Sequence, residues 1–123
     1  MFTEQAPKPV GPYSQGVIAG DYLFVSGQIP IDPATGELVK EPFSKASEVA
    51  LRNVIAVVKA AGGDVNSIVK VTVYMKDINK FSEFNEVYSR IFGEHKPARA
   101  VIGVAALPKG VDLEVEAIAY LGK

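Results

Sequence analysis

The sequence predicts an α+β fold, a two-layer sandwich in which two helices cover one face of a mixed β-sheet. Two segments, Ser44–Ala61 and Lys80–Phe92, each carry one apolar stripe at helical spacing, so both helices can pack on a common surface. Two others, Ile68–Lys76 and Asp112–Tyr120, alternate apolar and polar residues as strands do. The 123 residues contain no linker or repeat, so residues 1–123 are predicted to form a single domain.

The chain begins with a predicted β-hairpin. Its strands are Gln15–Ala19 and Tyr22–Ser26, and Gly20-Asp21 between them is a two-residue turn signal. Asp32–Gly36 then forms a turn, because its first proline fixes φ and its final glycine accepts a positive φ. A short strand around Glu37–Val39 follows this turn.

Turn and capping residues delimit the remaining elements. Ser44 is predicted to cap the first helix, and Gly62-Gly63 is predicted to stop it. Gly93 ends the second helix, and Leu107–Gly110 forms a turn between the predicted strands Ala100–Ala106 and 112–120. Within the strand 68–76, the residues predicted to face the helices are Val69, Val71, Val73 and Met75.

The opposite face of the predicted sheet carries Thr72, Tyr74, Ile118 and Tyr120. This set is too apolar to be well solvated and too polar for the core of a monomer. Association of subunits through this face is the expected solution.

Composition and charge exclude several classes of protein. Thirteen basic and fourteen acidic residues give a net charge of −1, which argues against general attraction to nucleic acid or to an anionic membrane. The sequence has no cysteine and one histidine, His95, so thiolate metal sites and multi-histidine sites are excluded within one subunit. No apolar run approaches the roughly 18 residues of a membrane span, and Met1–Val10 does not resemble a signal peptide. The expected location is the cytoplasm.

Arg99 is the first candidate for a functional side chain. It stands at the start of a chargeless strand, between Ala98 and Ala100. It is either an ordinary surface arginine or a clamp for a carboxylate, because the planar guanidinium matches two carboxylate oxygens.

Glu114 and Glu116 lie on one face of the last strand. They either form a solvated face, paired with Lys70 or Lys76, or one of them becomes a buried general acid or base when subunits associate.

Two glycine-rich segments are further candidates. Gly11–Gly16 either leads into the core or presents Tyr13 to a pocket, and it lacks the pattern of a phosphate loop. In Ser26–Pro30, the Gly27 amide can approach a ligand closely because no side chain blocks it. Ser26 is a poor nucleophile candidate, since no histidine base lies near it in sequence. His95 is assigned no role.

These motifs occur in the order and spacing of a known family. Gly11–Gly16, Ser26–Pro30, Pro97–Arg99 and Glu114–Ala119 together closely resemble the Rid family of reactive-intermediate deaminases, of the RidA/YjgF type. The resemblance extends over essentially the whole chain, including Asn53-Val54 and Asn85 on the predicted helices.

The resemblance implies a chorismate-mutase-like fold and a homotrimer with three clefts between subunits. It implies hydrolysis of 2-imino acids, such as 2-iminobutanoate and 2-iminopropanoate, to 2-oxo acids and ammonia. It implies that no metal and no organic cofactor is needed.

The resemblance also assigns roles by position. Arg99 would hold the substrate carboxylate, Glu114 would position or activate water, and Tyr13 would line the cleft. The backbone amides of Gly27 and Val101 would contact the ligand. Many relatives have cysteine where this chain has Val101, so any property that depends on that thiol is absent here.

Other functions remain open at the level of sequence. A module that binds a 2-oxo acid without turnover would use the same arginine, and relatives have also been given chaperone-like or translation-inhibiting roles. Chorismate mutase itself is disfavoured, because it needs several cations and the other arginines, Arg52 and Arg90, lie on predicted helices.

Overall fold

The computed structural model describes residues 1–122, which form a five-stranded sheet and two α-helices. The elements are β1 Gly16–Ala19, β2 Tyr22–Gln28, α1 Phe43–Ala60, β3 Ile68–Met75, α2 Phe81–Phe92, β4 Ala98–Gly103 and β5 Leu113–Tyr120. The strand order is β1-β2-β5-β3-β4. Strands β3 and β4 pair in parallel, whereas the other neighbours are antiparallel, which confirms the predicted mixed sheet.

Turns formed by glycine set the first part of the chain. Gly20 adopts a positive φ of 61° between β1 and β2, which confirms the predicted hairpin. The Gly36 amide donates to the Asp32 carbonyl at 2.7 Å and closes the predicted turn. The strand predicted at Glu37–Val39 is reduced to an isolated bridge between Ile31 and Leu38.

The start of α1 differs from the prediction. The helix begins at Phe43, and no side chain caps it, so the capping role predicted for Ser44 is wrong. Pro42 takes the capping position in an extended conformation, and its carbonyl accepts from the amides of Lys45 and Ala46. Ser44 already lies inside the first turn, where its hydroxyl cannot reach the free amides in the geometry of a cap.

The core lies between the sheet and the two helices. Leu23, Val73 and Leu113 from three strands are fully buried there, against Val57 of α1 and Phe84 of α2. Burial of an aliphatic or aromatic side chain of this size contributes about 1.5–3 kcal/mol each. Both helices therefore lie on one face, as predicted.

Two strand predictions need correction. The register of β3 against β5 shifts between Ile68 and Lys70, so Ile68 is fully buried and Val69 is 41% exposed, contrary to the predicted face. The extra residue at this bulge lets Ile68 share the buried face with Val71, Val73 and Met75, which keep their predicted side. β4 begins at Ala98, earlier than predicted, because it pairs with β3 from Lys70 onward.

The other face of the sheet is uncovered in the single chain. Thr72, Tyr74, Ile118 and Tyr120 lie on it as predicted. β1 and β2 add three exposed side chains to it, namely Val17, Tyr22 and Phe24. This surface is called the open face below. Within residues 1–122, no helix has both the length and the apolarity needed to cross a membrane.

Candidate functional site

Arg99 belongs to β4, and its side chain lies against α2. In the parallel pairing of β3 and β4 it stands opposite Val71, a core residue, so its side chain is on the helix face. Its Nη1 donates to Asn85 Oδ1 at 2.9 Å. Its Cζ lies 4.7 Å from the centroid of the Tyr88 ring and 5.5 Å from that of Phe81. One neutral acceptor and two aromatic rings thus surround the guanidinium.

No carboxylate within residues 1–122 neutralises Arg99. The ion pair found in that part of the chain joins Arg52 to Glu48 on α1. A guanidinium has five N–H donors, and the hydrogen bond to Asn85 uses one of them. Arg99 is partly buried, so its uncompensated charge favours a bound anion, and its remaining donors suit a carboxylate.

A β-bulge shapes the other candidate region. Val25 pairs with Ala117 and Gln28 with Val115, so Ser26 and Gly27 together stand opposite a single residue of β5. The bulge brings Gly27 against the side chain of Glu114 so closely that a methyl group there would overlap the carboxylate. The absence of a side chain at residue 27 therefore fixes where the Glu114 carboxylate lies.

Glu114 is the more buried of the two glutamates. Burial raises its pKa above the usual value, and the nearby Glu116 carboxylate raises the pKa further. Glu116 is exposed and accepts a hydrogen bond from the Tyr74 hydroxyl at 3.1 Å. The alternative in which these glutamates pair with Lys70 or Lys76 is not found within residues 1–122, where Tyr74 stands opposite Glu114 and Thr72 opposite Glu116. A carboxylate with a raised pKa suits proton transfer.

The N-terminal loop brings Tyr13 to the same region. Tyr13 and Gly27 line one small cavity, which Gln28 and Ile29 also border. The Ser26 hydroxyl donates to the Ser14 carbonyl at 2.6 Å and ties this loop to the bulge. The Tyr13 side chain is exposed, and its hydroxyl accepts from the Val10 amide at 3.3 Å.

Arg99 and Glu114 lie on opposite faces of the sheet. Arg99 shares the helix face with Val101, which pairs with Val73, whereas Glu114 is on the open face with Tyr74. The chain therefore carries two groups of predicted site residues. We call Arg99 and Val101 the arginine half-site, and Tyr13, Gly27 and Glu114 the glutamate half-site.

The chain is similar to known proteins over nearly its whole length. Residues 3–121 match the sequence model of the family described as Endoribonuclease L-PSP. A RutC family protein of Pyrococcus horikoshii is 55% identical over 120 residues, which cover 98% of this chain and 95% of that protein. The chain belongs to the YjgF/RutC/RidA family.

Two further relatives of this YjgF/RutC/RidA protein bear on its chemistry. A human protein named 2-iminobutanoate/2-iminopropanoate deaminase is 45% identical over 122 residues, covering 99% of this chain and 89% of that one. The crystal structure of E. coli TdcF with bound serine superimposes with a TM-score of 0.94. The two sequences are 46% identical, and the superposition covers 98% of this chain and 97% of the TdcF chain. The family membership predicted from the sequence motifs is thus confirmed.

Sequence reasoning missed the surroundings of Arg99 in this family member. Phe81, Asn85 and Tyr88 share one face of α2, and their spacing of four and three residues is the available signal. His95, which was assigned no role, has its Nε2 2.7 Å from the Ile68 carbonyl and anchors the loop after α2. Within residues 1–122, no cluster of side chains suits a metal ion.

Proposed function

We propose that this YjgF/RutC/RidA protein hydrolyses 2-imino acids, such as 2-iminobutanoate and 2-iminopropanoate, to 2-oxo acids and ammonia in the cytoplasm. The observation that carries the proposal is the uncompensated Arg99 guanidinium, held by Asn85 with most of its donors free. The human relative named as a deaminase of these two compounds supports the choice of substrate. The raised pKa of Glu114 supplies a suitable base.

The site is proposed to form between subunits of a homotrimer. Neither half-site alone combines a carboxylate clamp with a base, since Arg99 and Glu114 lie on opposite faces of one sheet. The exposed apolar residues of the open face, including Phe24 and Tyr22, favour association through that face. A cyclic arrangement would place the arginine half-site of one subunit against the glutamate half-site of its neighbour.

The proposed reaction needs orientation and proton transfer. Arg99 binds the substrate carboxylate and thereby fixes the adjacent imine carbon. A water molecule attacks this carbon of the protonated imine and loses a proton to Glu114, which gives a carbinolamine. Glu114 returns the proton to nitrogen, the C–N bond breaks and ammonia leaves. The hydroxyl proton then passes to the Glu114 carboxylate as the carbonyl of the 2-oxo acid forms.

The other predicted residues complete the cleft in this proposal. Tyr13 borders it from the N-terminal loop, and the backbone amides of Gly27 and Val101 contact the ligand. The proposed steps transfer protons, form a carbon–oxygen bond and break a carbon–nitrogen bond, and the proposed mechanism uses neither a metal nor an organic cofactor.

A second candidate function is carboxylate binding without turnover. The crystal structure of E. coli TdcF with bound serine favours it, because serine is a small carboxylate and is not an imine. RNA cleavage, which the description of the family names, fits the chain less well. The net charge is −1, and two glutamates occupy the open face.

A coupled assay tests the proposal. Threonine dehydratase generates 2-iminobutanoate from threonine, and semicarbazide traps the imine as a semicarbazone. The wild-type protein is expected to suppress semicarbazone formation, and Arg99→Ala is expected to lose this effect. Arg52→Ala is the matched control, because Arg52 is an exposed arginine of α1 paired with Glu48.

The outcomes separate the two functions. No suppression by folded wild-type protein, combined with measurable binding of 2-oxobutanoate, would replace the enzyme by the binding module. Equal suppression by Arg99→Ala would remove Arg99 from the site.

A further inference from the structure

We propose that Asn85 and Tyr88 are positioning residues that hold the Arg99 guanidinium in the orientation that binds carboxylate. The inference rests on the proposed function, because it assigns these residues to the same site. Neither residue is proposed to touch the substrate.

Asn85 fixes one edge of the guanidinium. Its Oδ1 accepts from Arg99 Nη1 at 2.9 Å, so the rotation of the planar group about its long axis is restrained. An amide accepts this hydrogen bond without adding charge. An aspartate would bind the same edge but would neutralise the cation that the ligand needs.

Tyr88 supports the guanidinium through its ring. The Cζ of Arg99 lies 4.7 Å from the ring centroid, within the range of a cation–π contact. The Tyr88 ring in turn stacks on Phe92, with centroids 4.3 Å apart and an angle of 25° between planes. Phe92 contacts His95, whose Nε2 lies 2.7 Å from the Ile68 carbonyl. A continuous column of rings therefore stands between Arg99 and the anchored loop.

The Tyr88 hydroxyl separates the effect of the ring from that of hydrogen bonding. It is buried and has no hydrogen-bond partner within residues 1–122. The contact with Arg99 thus depends on the face of the ring, and phenylalanine would preserve it. Leucine would remove the ring while keeping an apolar side chain in the core.

Orientation matters because a free arginine loses much rotamer freedom when it binds a ligand. Groups that hold the guanidinium beforehand reduce that cost and strengthen binding. The effect of these holding groups depends on the planar, forked guanidinium of arginine. A lysine ammonium binds as a point charge, so such alignment would strengthen its binding little.

Binding of 2-oxobutanoate to the assembled wild-type and variant proteins, measured by NMR titration, tests the inference. Asn85→Ala is expected to weaken binding by up to about tenfold, because the guanidinium must then be ordered when the ligand binds. Tyr88→Leu is expected to weaken it severalfold, whereas Tyr88→Phe should bind as the wild type does. The Tm and oligomeric mass of Asn85→Ala and Tyr88→Phe should stay unchanged.

A second background distinguishes positioning from a structural role. In Arg99→Lys, adding Asn85→Ala should change the affinity less than twofold. The same fold loss in both backgrounds would show that Asn85 only maintains the fold. If the Arg99→Lys protein binds too weakly to compare, the contrast between Tyr88→Phe and Tyr88→Leu decides, and equal affinities would overturn the role of Tyr88.

Failure of the proposed function gives a different pattern. Unchanged binding in Arg99→Ala would show that this site does not take the carboxylate at all. Loss of binding in Arg99→Ala with wild-type affinity in Asn85→Ala and Tyr88→Leu would overturn only the positioning inference.

Discussion

The two faces of the sheet use similar residues in opposite ways. On the helix face, Leu23, Val73 and Leu113 are fully buried beneath α1 and α2. On the open face, Phe24 and Tyr22 are equally apolar, yet 47% and 45% of their surface is exposed. The helix face is covered within the chain, and we propose that a neighbouring subunit covers the open face. The division also separates Arg99, on the helix face, from Glu114, on the open face.

The largest expected effect is on imine hydrolysis when two inactive variants are mixed. This experiment tests whether Arg99 of one subunit and Glu114 of another form one site. Arg99→Ala and Glu114→Gln should each lose at least about a hundredfold in imine hydrolysis, since they remove the clamp and the base. Equal mixing after unfolding and reassembly should restore about a quarter of wild-type activity, because that fraction of clefts in a cyclic trimer would receive one intact half from each parent.

Each variant refolded alone is the control for the mixing experiment. A site contained in one subunit could not be repaired by mixing, since every chain would keep one defect. Activity that stays at the level of the separate variants would therefore contradict the division of the site between subunits.

A charge on the open face is expected to prevent assembly. Phe24→Asp places a carboxylate in the apolar part of that face, and its desolvation on association would be unfavourable. Sedimentation velocity should show a monomer, and the circular dichroism spectrum should match that of the wild type. Phe2→Asp, which alters an exposed phenylalanine of the N-terminal segment, should leave the assembly unchanged. Wild-type mass for Phe24→Asp would mean that subunits associate elsewhere.

Truncations on the two faces should differ in their dependence on protein concentration. Leu113→Ala leaves a cavity in the core and should lower the free energy of unfolding by about 2–5 kcal/mol at every concentration. Phe24→Ala should destabilise the protein at concentrations that favour assembly and lose this effect on dilution, because its contacts form only between subunits. Urea denaturation over a wide range of concentrations checks this, and equal behaviour of the two variants would remove the distinction between the faces.

The smallest expected effect concerns the pH dependence of stability. Burial raises the pKa of Glu114, so the folded state holds this proton more tightly than the unfolded state does. The ionised carboxylate therefore destabilises the fold fully above its folded pKa, and this cost disappears below the unfolded pKa. Glu114→Gln should be more stable than the wild type at neutral pH and should lose this advantage on acidification. Glu116→Gln is the matched control, and an advantage of Glu114→Gln that grows toward acid would contradict the burial of Glu114.

Local features of the fold can be predicted from the sequence, whereas the pairing and register of the strands cannot. Turns at Gly20 and Gly36 and the alternation in β5 were predictable because they depend on neighbours along the chain. The exposure of Val69 was not predictable, because the bulge that causes it arises from pairing between β3 and β5. The site shows the same limit. Arg99 and Glu114 were found as residue types, but their opposite faces follow from the parallel placement of β4 beside β3.

The close approach of Gly27 to Glu114 restricts how chains with this bulge can evolve new substrate preferences. A side chain at residue 27 would displace the flexible end of the Glu114 side chain, so under the proposed function a substitution here would move the base. Tyr13 borders the same cavity from an exposed loop, where a larger or smaller side chain meets less resistance. Under the proposed function, selection for a different imine would therefore change Tyr13 more readily than Gly27.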